Sequence, residues 1–119
     1  MYTFEQLKDD VRKEAEALKI HATKEERERL DIANLNAVDP EKCIYGLLTG
    51  ECDSDRADEL IQACNKILLQ YEPCSENLMV VEGFKKWRWS PIEVYIGKEE
   101  SNNASLISFL RGETETLEL

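Results

Sequence analysis

The sequence predicts a mainly α-helical fold, a compact helical domain around a helix over residues 54–71, with room for one small β-hairpin near residues 79–89. Three observations carry this expectation. First, Ala57, Leu60, Ile61, Cys64, Ile67, Leu68 and Tyr71 recur at steps of three and one, the spacing of one face of a helix. Asp55, Asp58, Glu59, Gln62, Lys66 and Gln70 fill the opposite face. Second, Thr3/Gln6, Thr23/Glu26 and Ser90/Glu93 are spaced as capping boxes, in which a hydroxyl and a carboxyl or amide reciprocally satisfy the first backbone N–H groups of a helix. Third, 119 residues that are 42% hydrophobic and 34% charged suffice for one core without metal or disulfide staples.

In chain order, Phe4, Leu7, Val11, Ala15 and Leu18 predict a helix over 4–20, with Lys8, Asp9, Arg12, Lys13 and Glu16 facing solvent. Residues 24–33 read as a short charged helix anchored by Leu30 and Ile32. Asp39-Pro40-Glu41 reads as the next helix start, because proline is pre-set for the first helical position. That helix would be weakened by Gly46 and ended by Gly50. Ser54 or Asp53 can cap the helix over 54–71, and Pro73 stops it. Residues 78–81 and 84–89 flank Glu82-Gly83 and read either as a hairpin or as an irregular or helical segment. Pro91–Ile96 and Ala104–Arg111 are the last helices, closed by Gly97 and Gly112. Residues 1–112 are expected to form one helical domain. Residues 113–119 are expected to be a polar tail with Leu117 and Leu119 as candidate anchors.

The formal charge of −10 disfavours non-specific binding to DNA, RNA or anionic membrane and suits a basic protein partner. The first residues lack a basic region followed by an apolar run, so no signal peptide is expected. Apolar runs fall far short of the roughly 20 residues of a membrane span. A cytoplasmic protein with reduced cysteines is the expectation.

Cys43, Cys52, Cys64 and Cys74 contain no Cys-x-x-Cys knuckle. A continuous helix between Cys52 and Cys74 would hold them roughly 30 Å apart, so Cys43 and Cys64 read as small buried hydrophobes. Glu51, Asp53, Asp55, Asp58 and Glu59 resemble a calcium loop at first sight. Counted from Asp53, however, the fifth, sixth and twelfth positions are Ala57, Asp58 and Cys64, which breaks the pattern. These five carboxylates are instead a candidate contact surface for a basic protein. Phe84-Lys85-Lys86-Trp87-Arg88-Trp89 is the one basic, aromatic stretch. Trp87 and Trp89 are candidate anchors in a protein interface. Alternatively, Lys85, Lys86 and Arg88 with the tryptophans could hold a nucleotide. His21 is the single histidine, and no catalytic constellation surrounds it in the sequence. No cofactor and no metal are expected, and no enzyme activity.

The residues Cys43-Ile44-Tyr45-Gly46, Thr49-Gly50, Cys52, Ser54, Arg56-Ala57, Leu60-Ile61 and Cys64, joined by Trp89-Ser90-Pro91-Ile92-Glu93, resemble a block in small acidic proteins of phage and mobile-element type. That class carries no established activity, and no site residue transfers from it. The resemblance implies a protein that acts by binding, by blocking host-defence proteins such as CRISPR effectors, mimicking DNA or sequestering a nucleotide signal. Together these readings predict a non-enzymatic binding protein, a phage-type inhibitor of a host-defence protein. A nucleotide sponge or sensor and an oligomerising structural protein are the alternatives.

Overall fold

The computed structural model describes residues 3–36, 39–64, 79–81, 84–86 and 90–119, the two short segments 79–81 and 84–86 by backbone alone. The fold is mainly helical. Helix α1 (Phe4–His21) is followed by α2 (Lys24–Glu28), α3 (Ile44–Thr49), α4 (Asp55–Cys64), the strands β1 (Met79–Val81) and β2 (Phe84–Lys86), α5 (Pro91–Ile96) and α6 (Asn103–Leu110). The strands pair antiparallel with Met79 opposite Lys86 and Val81 opposite Phe84, so the hairpin reading holds over these residues. Residues 65–71 of the expected central helix, and 87–89 of the basic stretch, lie outside the described residues.

All three capping boxes form. At α1 the Gln6 N–H donates to Thr3 Oγ1 at 3.2 Å and the Thr3 N–H donates to Gln6 Oε1 at 2.8 Å. Ser54 caps α4, its hydroxyl accepting from the Ala57 N–H at 3.1 Å. Helix α6 ends in a Schellman motif: Gly112 adopts φ 81°, Glu113 N–H donates to Ser108 O at 2.9 Å, and Gly112 N–H to Phe109 O at 3.1 Å.

Helix α1 packs against α2, α4, α5 and α6, and α3 packs against α2 and α4. Leu7, Val11, Ala15 and Leu18 from α1 meet Ala57, Leu60, Ile61 and Cys64 from α4 and Leu106, Phe109 and Leu110 from α6 in one hydrophobic cluster. Over the described residues, both apolar stripes read from the sequence lie inside the molecule. Leu117 and Leu119 pack against this cluster, and the Glu118 N–H donates to Ser105 Oγ at 2.9 Å. The last residues are thus laid along α6.

Two boundaries differ from expectation. Residues 24–33 are not one helix. Asp31 accepts from the Ala33 N–H at 3.0 Å and from Asn34 Nδ2 at 2.6 Å, and this local side-chain pairing opens a separate 3₁₀ turn at Ile32–Asn34. Nor does a continuous helix begin at Pro40. Asp39 closes a single turn, and α3 starts afresh with Cys43 as its cap, the thiol accepting from the Gly46 N–H at 3.4 Å. The Pro40 carbonyl is turned to the Cys52 N–H, 2.8 Å away, and lies directly over Gly46. A Cβ at position 46 would run into that carbonyl and sit 2.8 Å from the Glu41 carbonyl carbon. Gly46 is therefore a requirement of the packing rather than a weak point in a helix.

Candidate functional site

Two groups of carboxylates stand out, one exposed and one buried. The exposed group is the one read from the sequence. Glu51, Asp53, Asp55, Asp58 and Glu59 are all exposed. They are presented by a tightly tied turn. The Glu51 carbonyl accepts from Ser54 Oγ at 2.7 Å, from Thr49 Oγ1 at 3.1 Å and from the Ser54 N–H at 3.2 Å. Gly50 supplies the positive φ of 101° that the turn needs. Buried Cys52 pins the loop to Pro40. Asp55, Asp58, Glu59 and Gln62 then follow at helical spacing as an exposed stripe opposite the buried one.

The cation inside this stretch, Arg56, does not neutralise the stripe as a whole. Its Nε and Nη2 donate to the two carboxylate oxygens of Glu26 at 2.9 and 2.7 Å, and Nη2 also donates to the His21 carbonyl at 2.8 Å. Only Glu59 shares it, at 3.1 Å from Nη1. Hydrogen bonding from Arg56 holds the Glu26 carboxyl down at about 2, against the cost of its burial. Among the described residues, Glu51, Asp53, Asp55 and Asp58 form no ion pair.

The buried group was not foreseen. Glu14 on α1 is fully buried, its Oε1 accepting from the Ile92 N–H at 2.9 Å and its Oε2 from the Tyr45 hydroxyl at 2.8 Å. Glu93 on α5 is 6% exposed and accepts from the Ser90 N–H at 2.9 Å and the Ile44 N–H at 3.3 Å. Each carboxyl thereby satisfies an otherwise orphaned N–H at the start of a helix on another element, α5 for Glu14 and α3 for Glu93. Burial pushes Glu14 up to about 7 and Glu93 up to about 8, and the charge of Glu14 adds to the rise at Glu93. Burial likewise lifts the Cys64 thiol to about 11, so it is protonated at neutral pH. Cys43, Cys52 and Cys64 are all buried thiols outside any disulfide.

The chain matches no protein-family model, no curated protein and no solved structure. Between them Glu14 and Glu93 fasten three helices, Glu14 tying α1 to α5 and α3 through Ile92 and Tyr45, and Glu93 tying α5 to α3 through Ile44. Lys85 and Lys86 lie on β2, with only their backbone described, and Trp87, Arg88 and Trp89 lie outside the described residues. No described helix is long and apolar enough to cross a membrane.

Proposed function

We propose that this protein acts by binding, without catalysis, and that its partner is a basic host protein engaged through Glu51, Asp53, Asp55, Asp58 and Glu59. The supporting observation is the fate of Arg56. The one cation of the stretch is turned to Glu26 and the His21 carbonyl, so four neighbouring carboxylates on the turn and helix have no ion-pair partner among the described residues. A fixed cluster of one sign steers an oppositely charged partner and rejects like-charged ones. Among partners of that chemistry, nucleic-acid-binding host-defence proteins such as CRISPR effectors fit the reading of the chain as a phage-type inhibitor.

The test is a capture experiment on host lysate with wild-type protein and with the triple reversal Asp53→Lys, Asp55→Lys and Asp58→Lys. A basic protein retained by the wild type and lost by the reversal supports the proposal. Equal retention by both sinks it. For the captured pair, the association rate should fall about tenfold or more as salt rises from low to physiological strength.

A further inference from the structure

Beyond the acidic face, two arginines and a lysine line one depression, together with Glu28 and Glu113. Arg27 in the last turn of α2 and Arg111 at the end of α6 cap each other's neighbourhoods: Arg27 Nη1 donates to Leu110 O at 2.7 Å, and Arg111 Nη2 donates to Leu30 O at 3.1 Å. Each contact uses one of the five N–H groups of a guanidinium. No carboxylate among the described residues pairs with either arginine. The Nε of each is buried and has no acceptor among the described residues. Buried donors almost always have a partner, so two guanidiniums with an unused donor each carry more hydrogen-bonding capacity than the described residues satisfy.

Both arginines line an open depression of about 650 Å³ together with Lys24, Glu28, Gly112 and Glu113. Lys24 reaches Glu28 only at 3.8 Å and its side chain is 73% exposed, so it is available to a ligand. Gly112, with φ 81°, turns the chain away beside Arg27 Nη1 without a side chain to cover it.

We propose that this depression binds a small phosphorylated molecule through Arg27, Arg111 and Lys24. Two planar forks and a point charge match the several oxygens and the multiple charge of a phosphoryl group. The depression falls in the size range of small-ligand sites, about 300–1,000 Å³. A small anion fits better than a nucleic acid, because a chain of charge −10 repels an extended polyanion.

The experiment follows the arginine Nε–H resonances of the full chain by NMR during titration with pyrophosphate, with sodium chloride at matched ionic strength in parallel. Saturable shifts at Arg27 and Arg111 with pyrophosphate, absent with chloride, are expected. Arg111→Gln should abolish them, but it also removes a helix cap. Lys24→Gln leaves every cap in place and should weaken binding at least threefold, while Arg12→Gln on α1, which does not line the depression, should not. Shifts that never saturate, that chloride reproduces, or that are equally strong in Lys24→Gln would overturn the proposal.

Discussion

Glu14 lies three residues after Val11 and four before Leu18, so its carboxyl shares the stripe that buries α1. Its folded pKa of about 7, and that of Glu93 near 8, stand above the ordinary carboxyl value of 4.5. A raised acid stabilises the fold fully below its unfolded value and loses that contribution as pH climbs through the folded one. Stability should therefore fall as pH rises from 4.5 through 8. Denaturant titrations at several pH values, beside those of Glu14→Gln, check this. The variant cannot ionise at position 14 and should show a shallower decline; parallel curves would refute the assignment. Glu26 has the opposite sign: held at about 2, it stabilises above 4.5 and loses that contribution as pH falls towards 2. At Gly46 the close approach of Pro40 leads to a second expectation. Gly46→Ala should destabilise by about 1–3 kcal/mol, although alanine is the better helix former. A melting temperature equal to wild type would show that the Pro40 turn yields at little cost.

At the level of elements, two capping boxes do more than start a helix. The Glu26 carboxylate closes the box of α2 and is gripped by Arg56 of α4, while Glu93 closes the box of α5 and reaches the first N–H of α3. The local half of each arrangement was legible, because a Ser/Thr and a Glu three residues apart sit within one turn. The distant half was not: Arg56 and Glu26 are 30 residues apart, and Glu93 and Ile44 are 49. The same limit explains Pro40, whose local preference for a helix start gives way to a bond with Cys52. The exposed acidic stripe was readable because helical periodicity alone separates it from Ala57, Leu60, Ile61 and Cys64. The buried carboxyl at Glu14 left one signal, an ionisable residue in register with an apolar stripe. Removing the grip on Glu26 with Arg56→Ala should cost about 1–2 kcal/mol, kept low by the partial exposure of the arginine. Hydrogen exchange should quicken most in α2 and the end of α1; protection unchanged there would mean the ion pair does not hold these elements together.

Across the whole molecule, 25 acidic residues face 15 basic ones. Three of the basic side chains, Arg27, Arg29 and Arg111, donate to the Leu110, Leu48 and Leu30 carbonyls at or just past helix ends. Such caps complement the negative ends of helix dipoles. Among the described residues, none of the three forms an ion pair with the acidic face. The folded state therefore carries self-repulsion that salt should relieve. The melting temperature is expected to rise between about 0.05 and 0.5 M sodium chloride. A fall would mean that the Arg56 pair, weakened by the same screening, outweighs the repulsion.

The buried carboxyls of Glu14 and Glu93 also make the surrounding buffer a reactant. At neutral pH the folded chain holds protons that the unfolded chain releases, so every unfolding event hands them to the buffer. The measured heat of unfolding then includes the buffer's own heat of protonation, and calorimetry in phosphate and in Tris at one pH should return different enthalpies for the same protein. The difference, divided by the difference in buffer heats, counts the protons locked inside the fold.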